Sequence, residues 1–235
     1  MTILGVITAR AGSKGLANKN VLPLLGRPVV WYTIDEARRS RRIERLVVST
    51  NDPLVCRLAR AEGVEVIERP ADLATDTARI DSALKHAVGV IEAEGRAVDI
   101  VVLLYANVPV RAPGIIDRVV DHLAATGADS VATYAPVGKF HPAWMSQLDG
   151  DRVLPYQPGA PYRRQDLPPL YIVDGAVTAM TRAALFTPAG PEDHFAHLGR
   201  DRRGIIEPVE ATVDIDTERD LYLAEAVLRA RTGVV

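Results

Sequence analysis

Six consecutive residues, Ile100–Tyr105 (Ile-Val-Val-Leu-Leu-Tyr), carry no charge and no alternation of apolar with polar positions. A strand with one wet face alternates with a period of two, so an unbroken apolar run belongs to a strand covered on both faces. Such a strand needs helices above and below it, and the rest of the chain supplies them. Short β-branched runs at 3–8, 46–49, 64–67 and 130–134 alternate with segments of helical period at 29–41, 53–62 and 114–125. The first helix opens on Pro28 and the second closes at Gly63. Asp76 or Thr77 is placed to cap a further helix whose Ile80, Ala83, Leu84, Ala87, Val88 and Ile91 share one face. Strands are expected again at 171–180, at 204–207 and near Val213, before a helix from Glu218 to about Arg231. This alternation is that of βαβ units and an α/β fold.

From residue 136 the texture changes. Residues 136–169 hold many prolines and a hairpin turn at Asp149-Gly150, and read as an excursion from the sheet, either a lid or an interface arm. No repeat or linker divides the chain, so residues 1–235 are expected to form a single domain. Lys plus Arg number 28 against 30 for Asp plus Glu, a net charge of −2, which gives no reason to propose nucleic acid or an anionic membrane as partner. A lone cysteine, Cys56, excludes an internal disulfide framework and any multi-cysteine zinc site, and fits a reducing compartment. The most apolar stretch, 100–110, is too short to span a bilayer. The N-terminus begins with a strand-like run and lacks the basic region of a secretion signal, so a cytoplasmic location is expected.

Two clusters carry chemistry. After the first strand comes Ala9-Arg10-Ala11-Gly12-Ser13-Lys14-Gly15, at the carboxyl end where open α/β sheets place ligands. Gly12 and Gly15 let the backbone approach a ligand, and Arg10, Lys14 and Lys19 supply positive charge suited to a polyphosphate. The segment is neither a Walker A loop nor a dinucleotide fingerprint; a basic surface loop is the plainer alternative. Near the other end, Asp214 and Asp216 are two apart around Ile215. On a strand they share one face, and two adjacent carboxylates suit a hard cation such as Mg²⁺ beside phosphates. Thr217 and Asp220 have the spacing of a helix cap, which leaves Asp214 and Asp216 free.

The run Ile7-Thr8-Ala9-Arg10-Ala11-Gly12-Ser13-Lys14-Gly15-Leu16-Ala17-Asn18-Lys19-Asn20, followed by Pro23-Leu24-Leu25-Gly26-Arg27-Pro28, resembles the opening of the acylneuraminate cytidylyltransferases, the CMP-sialic acid synthetases and their bacterial relatives. The resemblance implies a Rossmann-like nucleotidyltransferase fold: a mixed, mostly parallel sheet with helices on both faces. It implies that Arg10 and Lys19 grip the CTP phosphates with help from Lys14, and that Ala9, Gly12, Ser13, Gly15 and Asn20 lie along the nucleotide. The segment from Glu68 to Thr77 is similar to the family's second nucleotide segment and makes Arg69 a contact to CTP; an ion pair with a neighbouring carboxylate is its alternative. Asp214-Ile215-Asp216 resembles the family's metal-binding segment and implies Mg²⁺ there, with Asp216 also considered as a base. The implied reaction is transfer of CMP from CTP to an acidic sugar, with release of pyrophosphate.

The acceptor segments depart from the family pattern. Where Gln-Pro-Thr-Ser-Pro-Leu-Arg is common, this chain has Tyr105-Ala106-Asn107-Val108-Pro109-Val110-Arg111. Downstream, Arg164, Gln165 and Tyr171 match the segment lining the sugar site, but Asp174 stands where asparagine is usual. The resemblance makes Tyr105, Asn107, Arg111, Lys139, Arg164, Gln165, Tyr171 and Asp174 the acceptor-binding set. A carboxylate at 174 either selects an acceptor with an amine, such as an amino sugar acid or aminophosphonate, or pairs with an arginine such as Arg164. The resemblance also implies a homodimer in which the excursion packs on a second subunit. A catalytically inactive nucleotide-binding module is the alternative of a different class. His194 and His197, three apart, have no partner cluster for a metal, and Cys56 falls within a helix as a packing residue.

Overall fold

The computed structural model of the chain describes residues 1–12, 15–187, 190 and 193–232. Strand β1 (Ile3–Ala9) is followed by a small hairpin, β2 (Pro23–Leu24) and β3 (Arg27–Pro28), and by helix α1 (Val29–Arg39). Then come β4 (Arg45–Thr50), α2 (Pro53–Ala61), β5 (Glu65–Glu68), α3 (Ile80–Ala93), β6 (Ile100–Tyr105), α4 (Ile115–Thr126) and β7 (Ser130–Pro136). The hairpin β8 (Ser146–Asp149) and β9 (Arg152–Pro155) precedes β10 (Tyr171–Thr181), α5 (Arg182–Phe186), β11 (Arg202–Ile206) and α6 (Glu218–Thr232).

Seven strands form one sheet in the order β11-β7-β10-β6-β1-β4-β5. Its pairings are parallel except those of β10, which runs against both neighbours. The two expectations about β6 and its cover hold together. Along β1, Ile3, Ile7 and Ala9 face α1, α2 and α4, while Leu4 and Val6 face α3. On β6, Val102 and Leu104 join the first layer, Val101 and Leu103 the second. A third apolar cluster packs α6, through Ala224, against Val29, Val110, Val213 and Ile215. The chain steps outward from β1 to β4 and β5, then returns across α3 to β6 on the other side of β1. The sheet's topological switch point therefore lies between β1 and β6, where ligands bind in open α/β sheets.

Local chemistry explains most boundaries. Asp52 caps α2 by accepting from the Leu54 amide at 2.8 Å, with Pro53 opening the helix. Gly63 turns the chain with φ of +70°, a left-handed conformation that glycine adopts without strain. Two details differ from the sequence reading and a third agrees with it. Helix α3 starts at Ile80 with no side-chain cap, because Asp76 faces Arg10 instead. Val213 makes an isolated antiparallel bridge to Val110 rather than a strand. At the hairpin, Asp149 pairs with Arg152 around Gly150, as its turn chemistry implies. Residues 137–170 leave the sheet between β7 and β10, and every residue of β8 and β9 is exposed. No helix among the described residues is long and apolar enough to cross a membrane.

Candidate active site

A cleft of about 450 Å³ opens at the switch point. Its floor is the carboxyl end of β1, Thr8 and Ala9, beside Tyr105 and Asn107 from the end of β6. Arg10, Gly15, Lys19, Asn20 and Arg69 line one part, and Asp214 and Asp216 another. Ser13 and Lys14 lie outside the described residues. The loop is held from β4: Asn51 accepts from the Ala11 amide at 2.9 Å. Gly12 takes φ of +76°, and Asn20 is buried in a short 3-10 turn over Lys19–Val21.

Gly15 serves the site by what it lacks. A Cβ built there would stand 2.6 Å from the Asp216 carbonyl oxygen, so hydrogen alone lets the loop touch the acidic segment. Two residues 197 apart in sequence meet at the same place, Lys19 Nζ and Asp216 Oδ1, at 2.6 Å. The acidic segment is pinned from below: the Ile215 amide donates to the Asn107 carbonyl at 2.9 Å, and the Asn107 carboxamide donates to Asp214 and to the Ile215 carbonyl. Asp220 accepts from the Thr217 amide and hydroxyl, both at 2.8 Å, which starts α6 and leaves the carboxylates of Asp214 and Asp216 for the cleft.

Electrostatics mark both ends of the cleft. Burial, reinforced by the like charge of Asp216, pushes the Asp214 carboxyl up to about 6 against the pull of Lys19. Lys19 is the cation in contact with that pair, at Asp216. Among the described residues no cluster of three or more His, Cys, Asp or Glu could hold a metal. Two carboxylates fit Mg²⁺ nevertheless, because that ion usually keeps several waters and takes one or two protein carboxylates beside phosphate oxygens. Opposite, Arg69 is 8% exposed, and its guanidinium donates to the Ser49 carbonyl at 2.8 Å and hydroxyl at 3.3 Å, with no carboxylate partner among the described residues. Burial, aided by Arg10, pulls its pKa down to about 10. The ion-pair alternative for Arg69 is not what the structure holds; the side chain is a buried cation at a ligand cleft.

The acceptor set is scattered. Tyr105 and Asn107 line the main cleft, whereas Arg164, Gln165 and Tyr171 line a second cavity of about 500 Å³ within the excursion. Lys139 lies on the excursion, its Nζ 5.3 Å from the Phe140 ring centroid. Two members face inward and are corrected here. Arg111 is 4% exposed; its guanidinium donates to the carbonyls of Ala176 at 2.7 Å, Tyr105 at 3.0 Å and Val108, and to the Thr33 hydroxyl at 2.9 Å. Those bonds occupy its donors beneath the site, so it braces the loop that carries Tyr105 and Asn107. Asp174 accepts from the hydroxyls of Thr133 and Thr212 and from the Ala176 amide. It meets neither Arg164 nor the open cleft, and ties β7 and β10 to the strand-like segment leading to Asp214.

Two residues at or beside the cleft escaped the sequence reading, Asn51 and Arg79, and Asp76 was read only as a helix cap, not as the partner of Arg10. Asn51 stands directly after β4, the parallel neighbour of β1, a position that puts a polar side chain beside the loop. Arg79 lines the cleft and donates to Asp81 at 2.9 Å and to the His194 carbonyl at 3.3 Å. His197 is buried beside that group, and burial lowers its pKa.

Arg10, Lys19 and Arg69 thus share one cleft with the carboxylates of Asp214 and Asp216 at the switch point of an open α/β sheet. The family model described as Cytidylyltransferase matches residues 4–172, and the chain belongs to that family. It is 34% identical over 176 residues to the N-acylneuraminate cytidylyltransferase of Streptococcus agalactiae serotype V, covering 73% of this chain and 41% of that protein. The chain thus spans about two-fifths of the length of that relative. It is 30% identical over 233 residues to the CMP-N,N'-diacetyllegionaminic acid synthase of Legionella pneumophila, covering 97% of each. In fold it is similar to CMP:2-keto-3-deoxy-manno-octonic acid synthetase complexed with CTP, with a TM-score of 0.73 at 19% identity over 98% of this chain and all of that one.

Proposed function

We propose that the chain is a CTP-dependent nucleotidyltransferase that joins CMP to an acidic sugar, a sialic acid-like nonulosonate or a related 2-keto-3-deoxy sugar acid. The observation that carries the reading is Arg69, a buried cation beside Arg10 with no carboxylate partner among the described residues, in one cleft with a carboxylate pair. An arginine in that state calls for an anionic ligand. Arg10, Lys19 and Arg69 bind the triphosphate and spread its charge, and Asn20 and Gly15 line its path. A hydroxyl oxygen of the acceptor attacks the α-phosphorus; a new P–O bond forms as the bond to the β-phosphate oxygen breaks, pyrophosphate leaves, and the hydroxyl proton passes to solvent water or to the Asp216 carboxylate. Asp214 and Asp216 would hold Mg²⁺, whose chemistry is to offset charge on the phosphate oxygens.

The substrates for which the relatives are named, acylneuraminate and diacetyllegionaminate, support a nonulosonate acceptor. The excursion, with Leu148, Val153 and Tyr162 at 72%, 62% and 90% exposure, is the surface we assign to a homodimer whose partner brings the second cavity toward the first. A cytoplasmic location fits substrates such as CTP. Release of pyrophosphate from CTP, measured across N-acetylneuraminate, legionaminate, an octulosonate and an aminophosphonate, tests the reading. A nonulosonate is expected to be the best acceptor, and Asp216→Asn to abolish turnover. Release with the aminophosphonate alone would replace the acceptor class, and no release with any acceptor would leave a binding module.

A further inference from the structure

The cations of the cleft are not equally open. Arg69 meets no carboxylate among the described residues, but Arg10 Nη1 lies 2.5 Å from Asp76 Oδ1 and Lys19 lies 2.6 Å from Asp216. Asp76 has no part in the mechanism above. It sits in the loop before α3 whose Thr75 and Ala78 line the cleft, and its side chain is 43% exposed. The contact joins residues 66 apart in sequence, and it left α3 without a side-chain cap. Arg10 and Arg69 repel each other, since the charge of Arg10 helps lower the pKa of Arg69. A carboxylate on Arg10 relieves that repulsion while no phosphate is present.

We propose that Asp76 is a place-holding anion, which occupies Arg10 in the nucleotide-free protein and gives way to a phosphate oxygen when CTP enters. This rests on the nucleotide reading of the cleft. Binding is then an exchange of partners at Arg10, and Asp76 sets the affinity of the protein for its nucleotide. Lys19 is masked in the same manner by Asp216, but that carboxylate also belongs to the acidic pair, so Asp76 gives the cleaner test.

The strength of the mask follows from its exposure. With both side chains about two-fifths open to solvent, the pair has the worth of a surface ion pair, equivalent to a change of about two- to fivefold in affinity. Isothermal titration calorimetry with CTP, in chelator and again with Mg²⁺, measures it on the full chain. Asp76→Asn is expected to bind about two- to fivefold tighter than wild type in both buffers, and Asp76→Ser equally so. Asp72→Asn, which removes the same charge four residues away, is expected to change the affinity by less than about 1.5-fold. In an Arg10→Gln background, Asp76→Asn is expected to give a smaller gain than in the wild-type background. Unchanged or weaker binding by both Asp76 variants overturns the exchange, as does an equal gain from Asp72→Asn or a gain that is undiminished without Arg10. If wild type binds no CTP in either buffer, the nucleotide reading falls and the exchange with it.

Discussion

Replacing Arg111 separates a brace beneath the site from a contact to substrate. Its guanidinium makes four hydrogen bonds, three of them to backbone carbonyls and all in the interior. Hydrogen bonds from a charged donor are worth about 1.5–3 kcal/mol each, so the gross contribution is roughly 6–12 kcal/mol. Against this stands the cost of burying the cation. Its pKa falls to about 10 from the ordinary 12.5, equivalent to about 3 kcal/mol. Arg111→Met removes both terms and leaves three carbonyls without their donor, for a net loss of about 4 kcal/mol, in the range for breaking a buried charged network. Lysine keeps the charge but presents a compact ammonium in place of the planar fork, and Arg111→Lys is expected to lose about 2 kcal/mol. Urea unfolding at neutral pH reads both numbers, provided the slope with denaturant is unchanged. A midpoint for Arg111→Met equal to wild type, with a raised KM for the acceptor, would refute this reasoning and return the side chain to the substrate.

Three other outcomes are expected. Asp214 titrates near 6 in the folded chain against an ordinary 3.8, so the folded state holds this proton more tightly than the unfolded one. The resulting penalty grows as pH rises from about 4 to about 6 and is complete above that. Discounted for the solvent access of the cleft, Asp214→Asn should raise stability by about 1 kcal/mol at pH 7.5 in chelator, the gain fading toward pH 4, while CMP transfer is lost. Gly15→Ala must move the Asp216 carbonyl by several tenths of an ångström; a fall in kcat of about 100-fold is expected in pyrophosphate release, with the melting temperature little changed. Asp174→Asn should leave the ranking of acceptors unchanged, since its oxygens are engaged by Thr133, Thr212 and the Ala176 amide; a switched ranking in the same panel would put residue 174 at the substrate.

Much of the fold was legible because it rests on periodicity. The run Ile100–Tyr105 demanded cover on both faces, and α3 and α4 supply it. Positions along strands were legible for the same reason: Arg10 follows β1 and Asn107 follows β6, so parallel neighbours deliver both to one end of the sheet. What was not legible is the direction a side chain takes once the chain leaves a regular element. Arg111 lies six residues after Tyr105 and was read with it, yet the turn at Ala106 and Asn107 leads it under the loop, where its guanidinium meets backbone carbonyls. Asp174 was weighed between an amine and an arginine, and two threonine hydroxyls from distant segments took its oxygens. Asp76 had the right spacing to cap a helix, but a cation from the first loop outcompeted the helix amides. In each case at least one partner, such as Ala176 or Thr33 for Arg111, is tens of residues away, and no local pattern encodes it.

The seven strands of the sheet are complete by Ile206, yet the acidic pair comes after them and is seated by the Val213 bridge and the Ile215 amide. A chain emerging amino end first from the ribosome thus completes the strands of its sheet before the acidic pair is made. Of the residues lining the cleft, Arg10, Lys19 and Arg69 come early and Asp214 and Asp216 come last.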